Sequence, residues 1–306
     1  MKRLSKEKLQ YTLSPFHKPT LTIKPGETII VQTEDAFSGT IKTERDLRDK
    51  TRMPFSNPVT GPIYVEGAER GDALVVEIKE ISSTSDYGIT YFEPSLGKLL
   101  GTTPFAKLLQ ETAPPKTKIY PIKSGRVHFS KEIVIPMEPI IGTIGTSPQI
   151  ETVLSKTPGT HGGNMDCPDV CPGNMIFLPV FVNGALLFLG DVHAIQGEGE
   201  ICGVAVEIPA EIRLTIDLIK NKKIDWPRIK SRNYIMTVCS SKPLEDATRL
   251  AFSELIVWLE KEYGFSHLDA CLLVAQLSKV SVCQIVNPLY TVTAKFPVKY
   301  LLENNS

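Results

Sequence analysis

The chain lacks an excess of either charge, since its 306 residues include 34 basic and 34 acidic side chains. Without a net positive charge it has no cationic field that would attract nucleic acid, so we expect no nucleic-acid partner. It also lacks any run of about 18 to 20 apolar residues, the length that a membrane-spanning helix requires. No apolar segment follows residues 1–7, so the start of the chain does not resemble a secretory signal. We therefore expect a cytoplasmic protein with no membrane partner.

Cysteines are few, and their spacing favours neither disulfides nor a zinc finger. The six are Cys167, Cys171, Cys202, Cys239, Cys271 and Cys283. Without an export signal a disulfide framework is not expected. Cys167 and Cys171 are separated by three residues rather than the usual two, and no second cysteine or histidine pair follows at finger spacing. Buried free thiols are the expected state.

Turn-forming residues are abundant, because 23 prolines and 21 glycines are spread along the chain. They exclude long helices from most of it. A β-branched run at 27–33 and an alternating run at 73–81 predict strands in the first two thirds. The polar stretch at 101–125 predicts a surface loop or small flap.

The C-terminal part carries helix signals. Ser240 and Ser241 offer an N-cap, Pro243 fits the first turn, and the helical spacing of apolar residues continues to Tyr263 before Gly264. A second, shorter helix is predicted at 267–276. Closing strands are predicted at 280–286 and 290–296.

These patterns together predict an α+β fold that is predominantly β. A large mixed or antiparallel β-sheet would form a sandwich or a barrel, with a smaller α/β part near the C-terminus. We divide the chain into a β-rich region at 1–100, a β-rich region with the candidate site at 101–235, and a helix and strand part at 236–306 that packs on the same domain.

The strongest turn signal is Asn183-Gly184, which lies between the apolar runs 176–182 and 185–189. Both residues tolerate the positive φ of a type I′ turn, so they predict a tight β-hairpin. Because apolar residues occupy both faces of each run, this hairpin should lie deep in the fold. Pro179 is an exception, because proline lacks the N–H that a fully paired central strand requires.

Polar residues follow the second apolar run directly. If Asp191 and His193 are on a strand, their side chains leave the same face about 7 Å apart, a workable spacing for two ligands of one metal ion. Gly197 and Gly199 let the backbone fold back, so that Glu198 or Glu200 could approach the same point. A solvated loop and a structural histidine remain the alternatives at this stage.

A second polar cluster precedes the apolar runs, at 161–166. It supplies an imidazole from His161, an amide from Asn164 and a carboxylate from Asp166. Imidazole and oxygen ligands together suit zinc, manganese or iron, whereas a mainly carboxylate set suits calcium or magnesium. Asn164 and Asp166 could instead be turn formers that bond their own backbone.

Both clusters lie in segments that resemble the signature of the acetamidase/formamidase family, 159–166 (GTHGGNMD) and 190–200 (GDVHAIQGEGE). In the same order, the resemblance extends to segments 33–39, 57–68, 136–145 and 284–288. It implies a β-rich fold with a smaller α/β part, hydrolysis of short amides to a carboxylate and ammonia, and a bound divalent metal. It also implies a homodimer.

On this basis we predict metal-assisted hydrolysis. Asp191 and His193, together with Asp166 or His161, would hold a divalent ion. Zinc is the first choice and calcium the alternative. The ion would lower the pKa of water and polarise the amide carbonyl.

Other residues would serve the substrate and its protons. Glu200 or Glu198 would take a proton from water and pass it to the leaving nitrogen. Asn164 and Gln196 are suited to orienting the amide by hydrogen bonds. Asp35 would either face the site or cap a turn.

Two other functions stay open. One is an amidase that uses Cys202 or Ser38 as the nucleophile, for which His193 could act as the base. The other is a non-catalytic, metal-bearing protein that binds a small molecule.

Overall fold

The computed structural model describes residues 1–51, 53–92 and 114–301, and within them most regular structure is β-strand. The strands before residue 93 are β1 (Lys2–Leu4), β2 (Leu9–Gln10), β3 (Thr12–Leu13), β4 (Leu21–Ile23), β5 (Glu27–Thr33), β6 (Val59–Val65), β7 (Ala73–Ser83) and β8 (Tyr87–Phe92). Those from residue 116 to 195 are β9 (Lys116–Lys123), β10 (Arg126–His128), β11 (Val134–Pro136), β12 (Ile140–Gly145), β13 (Val153–Leu154), β14 (Gly162–Asn164), β15 (Met175–Pro179) and β16 (Leu187–Ile195). The remaining strands are β17 (Val206–Ile208), β18 (Ala210–Ile219), β19 (Arg228–Lys230), β20 (Tyr234–Ser241), β21 (Lys279–Gln284) and β22 (Tyr290–Pro297).

The first large sheet has nine strands in the order β1-β5-β18-β7-β15-β19-β20-β22-β21. In its middle, β18 runs antiparallel to both β5 and β7. Four fully buried residues of β18 alternate with less buried ones: Ala210, Ile212, Leu214 and Ile216. This alternation is that of a strand with one face on an apolar core.

The second large sheet holds the candidate site. It runs β11-β10-β9-β8-β17-β16-β12-β14, and β6 pairs with β16, β2 and β4 beside this path. Its strand β16 is buried along both faces from Leu187 to Ala194, because it has neighbouring strands on both edges and layers above and below. A small third sheet pairs β13 with β3.

The two large sheets share one core, to which Leu214 contributes from the first sheet and Leu189 and Val192 from the second. They therefore pack face to face as a sandwich. Neither sheet closes on itself among the strands described. The predicted α+β, predominantly β class is confirmed, with the sandwich rather than the barrel as its form.

The hairpin predicted at Asn183-Gly184 is wrong. Strand β15 pairs with β7 and β19 in the first sheet, whereas β16 pairs with β12, β17 and β6 in the second. The turn carries the chain from one sheet to the other, with positive φ at Gly184 (78°), Ala185 (58°) and Leu186 (54°). Two runs that are apolar on both faces can each be buried against any neighbour, so the sequence pattern did not specify their partners. Pro179 ends β15, where its missing N–H costs least.

The two helices and two closing strands predicted in the C-terminal part are confirmed. Helix α1 (Leu244–Tyr263) ends at Gly264, which has φ 71°, and α2 (His267–Leu277) begins after Ser266, whose side chain accepts a hydrogen bond from the Asp269 N–H. The N-cap predicted at Ser240 and Ser241 is wrong, because both residues lie at the end of β20 and Pro243 is the N-cap, with no side-chain capping hydrogen bond. Both helices pack on β20 and β22 through an apolar cluster, and a 3₁₀ turn (Val298–Tyr300) follows. Neither described helix is long and apolar enough to cross a membrane.

Part of the predicted loop at 101–125 lies outside the described residues, namely 101–113. The rest differs from the prediction, because β9 pairs with β8 on one edge and β10 on the other. Thr117 and Tyr120 of β9 are buried, whereas Lys116, Lys118 and Lys123 are exposed, and these lysines gave the segment its loop-like composition.

Candidate metal centre and active site

Two neighbouring strands supply the middle of the site. His193 on β16 and Glu207 on β17 are paired in register, and Asp191 lies two residues before His193. The backbone of Asp191 adopts φ 56°, a rare conformation for a non-glycine residue within a strand. His193 Nε2 is 3.7 Å from Asp191 Oδ1 and 3.3 Å from Glu207 Oε2. All three side chains are about 1–2% exposed.

Each of the two glycine-containing turns adds one carboxylate. Asp166 (φ 43°) is held by its own N–H, which donates to Gly142 O at 3.1 Å. Glu200 (φ 44°) follows Gly199, whose N–H donates to Val282 O at 2.8 Å. Both carboxylates are buried. The ligand atoms of Asp166, Asp191 and His193 lie within 4.8 Å of one another, as do those of His193, Glu200 and Glu207.

Gln196 determines how the ring of His193 is used. The Gln196 Nε2 donates to Asp166 O at 2.7 Å and to Cys283 O at 3.1 Å, and these two acceptors fix the orientation of the amide. Its Oε1 therefore accepts from His193 Nδ1, 2.8 Å away. In the neutral ring the Nε2 lone pair then faces the carboxylates of Asp191 and Glu207. A metal-binding histidine typically has this arrangement, with its second nitrogen donating to an oxygen.

The centre has more buried acceptors than donors. Asp166 Oδ1, Asp191 Oδ1 and Glu207 Oε2 are buried and have no hydrogen-bond partner. Buried polar atoms without partners are rare and costly in proteins. Two ligands of a tetrahedral zinc ion lie about 3.3 to 3.6 Å apart, which is close to the separations of Nε2 from the two carboxylate oxygens. The donor set therefore fits a divalent cation.

The directions of the pKa shifts are consistent with a site for a divalent cation. Burial and the charge of Asp191 raise the pKa of Asp166 to about 7. Burial and the charge of Asp166 raise the pKa of Glu200 well above its usual value, and burial does the same for Glu207. Burial lowers the pKa of His193, but Glu207 and Asp191 outweigh it and leave that pKa raised well above 6.5. A positive charge is thus favoured between Nε2 and these carboxylates, carried by a proton or by a metal ion.

Amide side chains hold the other oxygen of two carboxylates. Asn57 Nδ2 donates to Asp191 Oδ2 at 2.6 Å. The Thr143 hydroxyl lies 3.3 Å from the same oxygen and makes its shorter hydrogen bond to Asn164 Oδ1. Asn287 Nδ2 donates to Asp166 Oδ2 at 2.6 Å, and Asn164 Nδ2 donates to it at 3.1 Å. Each carboxylate is thereby oriented by one oxygen and presents the other to the centre.

Gly142 forms one wall of the centre. A Cβ at this position would lie 2.6 Å from Asp191 O, 2.7 Å from Asp166 Oδ1 and 2.9 Å from His193 Cε1. These distances are far shorter than van der Waals contact, so no side chain fits between β12 and the three groups. Glycine is needed here for close approach rather than for its freedom of φ.

The centre opens into a cavity of about 290 Å³. Asp191, His193, Glu200 and Glu207 line it on the side of the strands. Phe37 and Val286 are among the apolar residues on the other sides. A small polar molecule can therefore reach the carboxylates and the imidazole together.

The residues predicted from the sequence are only partly brought together. His161 is buried outside both groups of ligand atoms, in the turn between Gly159 and Gly163, and burial lowers its pKa to about 4. Glu198 is exposed, whereas Glu200 lines the cavity. Asp35 is buried and caps a turn, accepting from Phe37 N at 2.8 Å and Gly39 N at 3.0 Å.

The two amides predicted to orient a substrate have different surroundings. Asn164 lines the cavity but is only 2% exposed, and its Nδ2 is engaged with Asp166. Gln196 uses both ends of its amide on protein groups. We therefore describe Gln196 as a positioning residue for His193 rather than as a substrate ligand.

The two nucleophiles considered from the sequence lie beside the centre rather than in it. Ser38 Oγ is hydrogen-bonded to Tyr11 Oη at 2.7 Å. Cys202 is half-buried, and the described residues that line the cavity pass from Glu200 to Gly203 without it. Both ring nitrogens of His193 face Gln196, Glu207 and Asp191.

Sequence reasoning missed four residues of the centre: Glu207, Asn57, Asn287 and Gly142. Glu207 could have been noticed as a carboxylate inside the short apolar run 204–208. Asn57 and Asn287 each precede a proline and look like ordinary turn formers. Gly142 carries no local signal, since its role depends on what packs against it.

Comparisons with known proteins point to one family. A family model for the acetamidase/formamidase family matches residues 5–157 and 100–299. An acetamidase from Mycolicibacterium smegmatis is 28% identical over 65% of this chain and 63% of its own length, so the chain spans less than two thirds of that relative. The crystal structure of an acetamidase from Yersinia enterocolitica is 42% identical, with a TM-score of 0.91 and coverage of 97% of this chain and 92% of that one. An acetamidase from Bacillus halodurans is 36% identical, with a TM-score of 0.90 and coverage of 97% and 98%.

Proposed function

Since this chain belongs to the acetamidase/formamidase family, we propose that it is a metal-dependent hydrolase of short-chain amides such as formamide and acetamide. The products are a carboxylate and ammonia. One observation carries the proposal. Three buried carboxylate oxygens without donors surround His193 Nε2 beside a cavity of about 290 Å³.

Asp191 and His193 would hold the ion, together with Asp166 or Glu207, whose ligand atoms lie near His193. An imidazole nitrogen among carboxylate oxygens favours zinc, with calcium as the alternative. A bound divalent ion supplies Lewis acidity, which polarises an amide carbonyl and lowers the pKa of the attacking water. Asn57, through Asp191, and Gln196, through His193, keep these groups in place.

Glu200 moves the proton. It accepts one proton from the attacking water and delivers it to the amide nitrogen as the carbon–nitrogen bond breaks, so that ammonia leaves. Burial and neighbouring carboxylates raise its pKa well above its usual value, which suits a group that must both accept and donate near neutral pH. Glu198 is exposed and takes no part.

The experiment combines elemental analysis of the purified protein with an ammonia-release assay on formamide and acetamide. Asp191→Ala and His193→Ala should lose both the metal and the activity. Asp217→Ala on the exposed face of β18 and His128→Ala on β10 are matched controls. Both should keep the metal and the activity. Metal binding without hydrolysis of any amide would support a binding protein instead. Full activity in metal-stripped protein, abolished by thiol alkylation, would support a cysteine nucleophile.

The proposal includes a cytoplasmic homodimer. All six cysteines are free thiols, which suits a reducing compartment. The dimer rests on the family resemblance. Light scattering on the eluting protein gives its mass directly, and a single-chain mass would remove the dimer from the proposal.

A further inference from the structure

Cationic side chains line the same cavity as the carboxylates of the centre, here called its carboxylate floor. Arg48, Lys156 and Lys242 line it from three separate segments of the chain. Lys242 Nζ lies 4.6 Å above the centre of the Tyr290 ring. Among the described residues, no carboxylate lies within ion-pair distance of Arg48 or Lys156. The Nε of Arg48 is buried without any hydrogen-bond partner.

Arg48 and Lys156 also mark a place where a ligand group would fit. With Ser56, they line both the main cavity and an adjoining one of about 130 Å³. A buried guanidinium N–H without an acceptor is costly unless a ligand supplies one. Guanidinium, ammonium and hydroxyl donors together match a carboxylate, which accepts several charge-assisted hydrogen bonds.

The cavity is larger than the simplest amides need. A four-heavy-atom amide takes on the order of 100 Å³, about the share of three waters in the liquid. The main cavity of about 290 Å³ leaves room for a short carbon chain beyond the scissile amide. A substrate bound at the carboxylate floor can thus extend towards Arg48.

We propose that this chain prefers amides that carry a second, anionic group, namely monoamides of short dicarboxylic acids. Arg48 and Lys156, with Ser56, bind the remote carboxylate, and the metal centre hydrolyses the amide end. The inference rests on the proposed amide hydrolysis and specifies its substrate class. The products are a dicarboxylate and ammonia.

A competing role for these cations is to offset the charge of the carboxylate floor. In that case their loss would weaken turnover of neutral and anionic amides alike. Binding of the substrate carboxylate requires the loss to be selective. The ratio of kcat/KM for an anionic amide to that for a neutral amide of equal length separates the two roles.

The experiment measures ammonia release from malonamate and succinamate beside propionamide and butyramide, with metal-replete enzyme. Wild type should favour the anionic amides, and Arg48→Gln should lower the anionic-to-neutral ratio by roughly tenfold to a hundredfold, mainly through KM. The exposed Lys156→Gln should lower it about two- to fivefold. The exposed Arg232→Gln and Lys131→Gln are matched controls and should leave the ratio unchanged. Arg48→Lys should restore part of it.

A binding measurement provides a readout apart from turnover. Calorimetric titration should show that succinate binds more tightly than acetate, and that Arg48→Gln removes most of the difference. A wild-type preference for neutral amides, or equal losses for both classes in Arg48→Gln, overturns the proposal. If no amide is hydrolysed at all, the proposed function fails, and the titration still decides whether Arg48 binds a carboxylate. Should Arg48→Gln fail to fold, the anionic-to-neutral ratio is measured in Lys156→Gln and Arg48→Lys instead, and an unchanged ratio in both would overturn the proposal.

Discussion

Replacement of Gly142 by alanine is the sharpest perturbation of the proposed metal centre. The new Cβ would lie 2.6 Å from Asp191 O, 2.7 Å from Asp166 Oδ1 and 2.9 Å from His193 Cε1. Gly142 does not have a positive φ, so alanine is allowed by the backbone and the effect is steric. All three contacts are on residues assigned to the metal, and the Asp191 carbonyl belongs to a paired strand that cannot withdraw easily.

The size of the expected effect follows from how far the new Cβ of Gly142→Ala would overlap its neighbours. Restoring ordinary contact requires these atoms to move by about 0.5 to 1 Å, and over-packing of this kind typically costs about 1 to 3 kcal/mol of folding free energy. Disturbing the surroundings of metal ligands costs about tenfold to a hundredfold in metal affinity. A displacement of about 1 Å can also lower the catalytic rate by roughly a hundredfold. We therefore expect Gly142→Ala to fold with a lower Tm, to bind metal weakly and to lose most amidase activity.

Gly197→Ala is the matched control. A Cβ there meets nothing within 4 Å, although Gly197 lies close in sequence to the ligands. The assay is a competitive chelator titration of both variants, with Tm measured with and without metal and ammonia release from acetamide. If Gly142→Ala keeps the metal affinity and activity of Gly197→Ala within about twofold, the assigned ligands are wrong.

Three further predictions concern single residues. Glu200→Gln should lower kcat by about a hundredfold to ten-thousandfold in the ammonia assay, while Glu198→Gln stays near wild type; equal effects would contradict Glu200 as the proton carrier. Gln196→Leu should lower metal affinity by about tenfold to a hundredfold by chelator titration, because His193 loses its acceptor; unchanged affinity would show that Gln196 does not position the ring. The pKa of His161 is lowered from 6.5 to about 4 by burial, so the unfolded state binds the proton first and stability is lost as pH falls through 6.5 towards 4. Between pH 7.5 and 4.5, the free energy of unfolding of wild type, measured in urea, should fall by roughly 2 to 3 kcal/mol more than that of His161→Gln. If the free energies of both proteins change in parallel with pH, His161 does not have a lowered pKa.

Local patterns were sufficient to predict individual elements. The two helices and the closing strands carry breakers and periodicities that act within a few residues, and these predictions hold, whereas the N-cap predicted at Ser240 and Ser241 does not. The pairing of β15 and β16 was not predictable in this way. Both are apolar on both faces, so burial favours either of them in either sheet, and only the packing of the whole sandwich decides.

The residues of the centre likewise fall into those that local spacing predicts and those that are distant in sequence. Asp191 and His193 are neighbours on one strand, so their convergence could be proposed from spacing alone. Asn57 reaches Asp191 across 134 positions of sequence, and Asn287 reaches Asp166 across 121. No local pattern reports contacts of that range. His161 and Asp166 looked equivalent in sequence, yet only Asp166 turns into the centre.

A metal titration of the stripped protein tests the central claim most directly. Divalent metal is added in steps to chelator-treated protein, and bound metal and ammonia release from acetamide are measured on the same samples. We predict no activity in the stripped protein, and activity that rises in proportion to bound metal and reaches its plateau when Asp191 and His193 are saturated. Asp191→Ala should show no rise in bound metal and no rise in ammonia release. Full amidase activity before any metal is added would contradict the account.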